Sequence, residues 1–519
     1  MKITRRTLLG ATAASGAALL LPIGHAWEGR ARAVAADSPF TEALPTLAEL
    51  GVIDATSGGT ALIEMVNATH SFSRAMQPTP TFAYRGGSAT QTYLGPTIVA
   101  RQGVPFDVTL ISRLGEHPLV GAIDYDIAGV VAADRTNPRV STHLHGGNTS
   151  PDNDGDPVDT FTRTDGPRVY HYENSQEAAG LWYHDHALGI TRLNVLAGLA
   201  GGYLIRNDDD PGNGTVRPDG SALPPAPDFE MPLVIQDRSF HPDGTFLYPP
   251  NDNPGTAGRP WAPEFFGDVA TVNGKAWPNL DVARGKYRFR IYNGSNSRFY
   301  NLKLKAGELA VAFVQIGTDG GLLNSPASLN RVVLGPGERA DVVVDFSGIE
   351  PGTRILLTND ARAPFPSGPR ATRRGGMPLA RIMQFTVTST AGWTLPLPAV
   401  LRAAPITPLA TAGRPVAATR SMTLVENLND LGSPVMALLN NRTFEAPGAT
   451  TVVHSDTVEQ WDLINTPHDA HPVPRHFTQF QVLNRQKFDA DGYLEATYGA
   501  EPPAVNSGPF PPPSVTPFL

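Results

Sequence analysis

The sequence predicts an all-β protein assembled from repeated β-sandwiches, and three observations predict it. Gly and Pro are frequent, 51 and 49 of 519 residues, and they cut the chain into many short apolar runs, the punctuation expected of strands closed by turns. The length exceeds what one ordinary core accommodates and suggests two to four domains. A strand-turn-strand unit also recurs: Pro96 to Leu114 (PTIVARQGVPFDVTLISRL) turns at Gly103, and Pro278 to Asn293 (PNLDVARGKYRFRIYN) repeats the plan. A looser copy spans Asn441 to Asn465, where Arg442-Thr443-Phe444 and a turn at Gly448 precede the run Val458 to Asn465. A spacing of about 160 to 180 residues is that of duplicated sandwiches, not of solenoid repeats.

Taken in order, residues 1–35 read as an address. Thr4-Arg5-Arg6-Thr7-Leu8-Leu9 is a twin-arginine signature, followed by an apolar stretch from Ala11 to Leu21 and a cleavage-like Ala33-Val34-Ala35. The apolar stretch is too short and interrupted for a stable membrane span. The expectation is export by the twin-arginine machinery to the periplasm, cell envelope or exterior, a route suited to proteins that fold around a cofactor first. The chain contains no Cys, which excludes disulfides and any metal–thiolate bond. Its net charge of -8 leaves no basic footprint for nucleic acid.

The first sandwich is expected over residues 40–206. Asn207 to Pro227 (NDDDPGNGTVRPDGSALPPAP) reads as a solvated connection. The second sandwich is expected over 228–388, with strand candidates at Met231 to Asp237, Val311 to Ile316, Arg331 to Leu334 and Ala340 to Phe346. It carries no histidine pair, so its expected role is to space its neighbours. The Pro/Ala-rich stretch Thr388 to Val416 leads to a third sandwich over 417–519. That last one is expected to be incomplete, with mostly Gly, Pro and loop after Lys487.

The chemistry concentrates between Thr142 and His186, in His143-Leu144-His145 followed by Gly146-Gly147 and in His184-Asp185-His186 preceded by Trp182-Tyr183. In a strand, residues i and i+2 share a face, so each pair can address one metal centre, and two pairs on neighbouring strands would present four imidazoles to one volume. Imidazole suits copper, zinc, iron or nickel rather than calcium or magnesium. Asp185 falls on the opposite face and is not expected to ligate. His70, His117, His171, His241 and His454 stand alone in the sequence and read as surface or satisfied core histidines.

A third cluster, His471-Pro472-Val473-Pro474-Arg475-His476 followed by Phe480-Gln481-Val482-Leu483, completes a pattern. With THLHGG and WYHDHA upstream, the chain resembles the bacterial three-domain multicopper oxidases of the spore-coat laccase and bilirubin oxidase type. The resemblance implies three cupredoxin-like Greek-key sandwiches. It also implies up to four coppers, a blue one that takes electrons from a reducing substrate and a three-copper cluster that reduces O2 to water. By motif, His143 resembles a ligand of the mononuclear copper of the cluster, His145 and His184 ligands of one copper of the coupled pair, and His186 of the other. His471 resembles a blue-copper ligand and His476 a cluster ligand. Asp154, in the Asp152-Asn153-Asp154-Gly155 loop, matches an acidic position that relays protons in the family, although Asp-Gly is also a common turn.

Two departures qualify the resemblance. Pro474 stands where the motif's middle histidine belongs and offers no ligand, so His143 is expected to remain alone at the mononuclear site. The closing His-Cys-His motif is missing, so the chain reads as a fragment without a thiolate for a blue site. The implied function is copper-dependent oxidation of a phenolic, aryl amine, tetrapyrrole or metal-ion reductant by O2, impaired in this chain. The alternatives are an exported, non-catalytic cupredoxin-like scaffold similar to cell-division relatives of these oxidases, and a closed structural site, zinc or a copper pair, on the four paired histidines.

Overall fold

A computed structural model describes residues 39–87, 91–250, 258–260, 264–368, 379–409, 413–430, 434–444, 448, 451–499 and 504–506. The twin-arginine stretch and the Ala33-Val34-Ala35 site lie outside the described residues. The structure is nearly all β, in three successive sandwich units of which the third is incomplete among the described residues.

The first unit contains β1 (Val52–Ala55), β2 (Gly59–His70), β3 (Thr79–Gly86), β4 (Thr97–Arg101), β5 (Phe106–Ser112), β6 (Thr142–His145), β7 (Arg168–Tyr172), β8 (Ala179–Asp185) and β9 (Ala200–Arg206). One sheet runs β1-β4-β9-β8-β6, the other β3-β2-β5-β7. Alternation in β5, buried at Phe106, Val108 and Leu110, turns one face inward, as the period of two requires. Gly103, at φ +74, occupies the left-handed region open to glycine and links β4 to β5, which lie in opposite sheets. The recurring unit is therefore an arch across the sandwich and not a hairpin within a sheet.

The second unit contains β10 (Glu230–Arg238), β11 (Val269–Val272), β12 (Lys275–Ala276), β13 (Asn279–Arg284), β14 (Lys286–Asn293), β15 (Tyr300–Ala306), β16 (Leu309–Val311), β17 (Phe313–Thr318), β18 (Gly321–Leu329), β19 (Val332–Leu334), β20 (Arg339–Asp345), β21 (Arg354–Asn359) and β22 (Arg381–Ala391). Its sheets run β12-β11-β10-β14-β20-β17-β18 and β13-β22-β21-β15-β16, with β19 on β15. The arch from β13 to β14 again crosses between sheets. The third unit contains β23 (Val416–Leu428), β24 (Pro434–Leu439) and β25 (Val458–Asn465), in the order β24-β23-β25.

One pairing pattern recurs in all three units. The strand after the arch lies parallel to an earlier strand, β5 to β2, β14 to β10 and β25 to β23. That earlier strand also pairs antiparallel with its successor, β3, β11 or β24. The third unit retains this three-stranded motif and, among the described residues, no second sheet. The first half of its sequence repeat differs from expectation: Arg442-Thr443-Phe444 is not a strand. Asn440 and Asn441, at φ +52 and +60, fold the chain back so that Arg442 bridges Leu439.

The stretch after Lys487, expected to be mostly Gly, Pro and loop, contains a helix, Ala490–Tyr498. Asp489 caps it by accepting from the Gly492 amide at 3.0 Å, and Tyr493, fully buried, packs with Ile464 and Phe488. The connection 207–227 is irregular and much of it is exposed, but it is pinned at a buried point. Asp210 is fully buried and accepts from Arg288 at 2.6 Å and from Arg290 at 2.6 Å, while Arg206 and Arg290 also hold Glu230. Asp341 completes the group with Arg288 and Arg290. Three arginines balance three carboxylates, as buried charges require, and the group binds the end of the first unit to the second.

Candidate metal centre

β6 and β8 pair antiparallel with His143 opposite His184, Leu144 opposite Tyr183 and Thr142 opposite Asp185. This register puts the two histidine pairs side by side on one face. Ring centroids of His143 lie 5.6 Å from His145, 5.5 Å from His184 and 5.1 Å from His186, and His184 lies 5.9 Å from His186. Trp182 flanks the group, 4.3 Å from the His184 ring and 5.3 Å from His145. His143 and His184 are buried, while His145 and His186 are partly covered.

Local backbone oxygens orient two of the rings. His143 Nδ1 bonds the Asp154 carbonyl at 2.7 Å and His184 Nδ1 the Asp185 carbonyl at 2.7 Å, so each Nδ1 is the donor and each Nε2 keeps its lone pair. Fixing the outer nitrogen in this way is how proteins present imidazole to a metal. His184 Nε2 and His145 Nδ1 face each other at 3.2 Å. Two imidazole nitrogens on one metal, each at about 2.0–2.1 Å, stand about this far apart. Ligand atoms of His143, His145 and His184 lie within 4.8 Å of one another. His186 Nδ1 is buried without a hydrogen-bond partner, a cost that a bound cation would remove.

Electrostatics agree. Burial pushes His145 and His184 well below the ordinary imidazole range, helped at His145 by Arg339 and at His184 by His143. Burial lowers His186 to about 4. Neutral imidazoles are the ligating form.

The loop-borne residues divide. His476 joins the centre: its ring stacks on His143 at 4.1 Å and 17°, 5.5 Å from His186. Its Nδ1 lies 2.7 Å from Asp154 Oδ2, and Asp154 Oδ1 lies 3.1 Å from His143 Nδ1. Burial would raise the Asp154 carboxyl, but the hydrogen bonds from His143 and His476 hold it below the usual range. The expectation that Pro474 leaves His143 alone is thus corrected. Pro474 is exposed and the next histidine, His476, stands beside His143. His471 does not join them. Its Nδ1 meets Asn465 Oδ1 at 3.2 Å and its Nε2 lies 3.6 Å from Glu426 Oε1, in a separate group with Asp469. Glu264 belongs to that group, its carboxyl pushed up to about 8 by burial and then by the charge and hydrogen bond of Asp469.

Sequence reasoning missed the contribution of the second unit, which does more than space its neighbours. Gly337, at φ +84, packs so closely that a Cβ there would lie 2.8 Å from His145 Cε1. Arg339 donates to Gly180 O at 3.3 Å and Asp319 O at 3.0 Å, and its guanidinium fills the space a Cβ on Gly146 would need. A glycine in a P-G-E turn, Pro336-Gly337-Glu338, was the available signal.

A multicopper oxidase family model matches residues 126–210, the stretch that carries both histidine pairs. Multicopper oxidase LPR1 of Arabidopsis thaliana is 35% identical over 468 residues, 88% of this chain and 77% of that protein. A laccase of Bacillus subtilis is 35% identical over 476 residues, 88% of this chain and 86% of the laccase. The chain belongs to the multicopper oxidase family. Among solved structures, the McoA multicopper oxidase of Aquifex aeolicus superposes with a TM-score of 0.64 at 25% identity, covering 86% of each chain. Copper is the family's cofactor, and these relatives favour the oxidase lineage over a non-catalytic scaffold. The residues present fit copper held by imidazole. They do not fit copper held by thiolate, because the 519 residues contain no Cys.

Proposed function

We propose that this multicopper oxidase binds copper at His143, His145, His184, His186 and His476, and that this cluster is its site for reducing O2 to water. The convergence of five imidazoles from three segments on one volume carries the reading. Copper held there supplies electron transfer to O2. The protein's own part is orientation: carbonyls of Asp154 and Asp185 fix the outer nitrogens of His143 and His184. Asp154 joins His143 to His476, and its ionised carboxylate accepts from His476 at Oδ2, where it can take up and pass on a proton. These 519 residues supply no thiolate for a blue copper through which an external reductant would deliver electrons, so they are expected to show little turnover on their own. The twin-arginine signature supports export of the folded, metal-loaded protein, and no helix among the described residues is long and apolar enough to cross a membrane.

Copper loading of metal-free protein, followed by metal analysis and oxygen uptake, tests this. The expected result is copper bound at the imidazoles, O2 consumed when the loaded protein is reduced chemically, and little steady oxidation of an aryl amine. One tightly held zinc with no affinity for copper would overturn it in favour of a closed structural site.

Among reductants, a metal cation has specific support. Glu264, Glu426 and Asp469 crowd around His471, an arrangement of hard oxygen ligands with one imidazole that suits a divalent first-row cation. Calorimetric titration with Mn(II) is expected to show one site that Asp469→Asn removes. Equal binding by that variant would return the reductant to the organic classes.

A further inference from the structure

We propose that His117 and Asn194 are positioning residues for the histidine pairs, acting through Asp185. The proposal deepens the copper reading above and rests on it for its consequence at the metal, although the geometry stands without metal.

The hydrogen bonds run in one direction. The Leu119 amide donates to His117 Nδ1 at 2.9 Å, so Nδ1 carries no proton and Nε2 does. His117 Nε2 therefore donates to Asn194 Oδ1, 3.1 Å away. That bond fixes which end of the Asn194 amide is which, and Nδ2 donates to Asp185 Oδ2 at 2.9 Å and to the Arg139 carbonyl at 3.0 Å. Asp185 also accepts from the Ser141 amide at 3.1 Å and the Ala187 amide at 3.2 Å.

Ser141 sits two residues before His143 and Ala187 directly follows His186. One carboxylate thus ties the entry of one histidine pair to the exit of the other. The His186 amide donating to the Ser141 carbonyl at 2.6 Å closes the same junction. All of these groups are buried: His117 is 1% exposed and Asn194 and Asp185 are 0%. Asn194 lies inside the helix Thr191–Ala197, where asparagine is a poor helix former and a buried amide is costly unless satisfied. Three donors converge on Asp185, so a group that turns the Asn194 amide over would set its oxygen against that carboxylate. His117 prevents this. The pair then governs how firmly the two histidine-bearing strands are held, without touching a ligand ring.

Two variants of the full chain separate positioning from bulk stability. His117→Gln can carry a donor to Asn194 Oδ1, while His117→Asn keeps a polar group near the Leu119 amide but is too short to reach Asn194. In copper-free protein, amide hydrogen exchange at Ser141 and Ala187 is expected to rise about tenfold or more in His117→Asn while β2 and β3 stay protected. His117→Gln is expected to restore it. After copper loading, His117→Asn is expected to bind copper about tenfold more weakly with an altered Cu(II) EPR spectrum, and His117→Gln to resemble the wild type. Unchanged exchange at Ser141 and Ala187 in His117→Asn, or a rise spread evenly over the first unit and unrelieved by Gln, would overturn the proposal. If the wild type binds no copper, the copper reading fails while the exchange measurement still decides this one.

Discussion

The histidines of β6 and β8 and those of the 466–487 segment reach their places by different means. His143, His145 and His184 are fixed by strand register and His186 by the turn that follows, with packed sheets behind them. His471 and His476 lie on irregular chain outside any strand, in a segment strapped down by a few bonds. The Ala470 amide donates to Phe365 O at 2.7 Å, Gln479 to Gly320 O at 3.2 Å and Gln481 to Thr407 O at 3.0 Å. Phe477, Phe480, Val482 and Leu483 in this segment remain exposed. A ladder shares the work of positioning over many backbone bonds; a strap depends on each contact. The first region should therefore lose function when a ligand is removed, and the second also when a distant anchor is removed.

The largest effect is expected from His184→Ala, which removes a ring facing both His145 and His143. Copper affinity should fall by at least about 100-fold in competition with a chelator, against about tenfold for His476→Ala. Equal losses would erase the distinction between the regions.

Acid should separate them next. The buried imidazoles have folded pKa values below the ordinary 6.5, with His70, His117 and His186 at about 4. The unfolded chain binds protons first, so their stabilisation is complete above about pH 6.5 and is lost as pH falls toward 4. His471 is raised instead, chiefly by its hydrogen bond to Glu426 against burial, so its contribution is present below pH 6.5 and lost as pH rises through its folded value. Melting of copper-free protein should show a falling Tm on acidification through that window. His471→Leu should flatten the profile on the alkaline side of 6.5 only.

Gly337→Ala is expected to be intermediate. A left-handed φ costs a residue with a Cβ about 1–2 kcal/mol, and the methyl would press on His145, so copper affinity should fall several-fold while the β6–β8 ladder keeps its amide protection. Gln481→Ala should be smallest, about 0.5–1.5 kcal/mol for its exposed hydrogen bonds, visible as faster proteolysis within 466–487 and not in the first unit.

The same contrast explains what the sequence could show. The i, i+2 spacing of His143 and His145, and of His184 and His186, is a strand property, so both pairs and their shared face were legible, as were the turns of the repeated unit, though not that each turn arches between two sheets. Asp185 facing away from the paired histidines followed from the same alternation, but its partners Asn194 and His117 did not. They come from a helix and a loop brought near only by the fold, which is why His117 read as an isolated histidine of the surface or the core. His476 taking the place beside His143 depends on Asp154 and on the second unit's anchors at Gly320 and Phe365, none of which local patterning reveals. The helix Ala490–Tyr498 was readable from its Asp489 cap and Gly499 stop but was obscured by flanking Gly and Pro.

The most direct test of the account is the copper content and spectrum of the loaded full chain beside the double variant His143→Ala, His184→Ala. The account predicts copper bound by the wild type with imidazole-type EPR and no intense thiolate band, and most of that copper lost from the variant. Equal copper in both proteins, or an intense thiolate-like band, would contradict it.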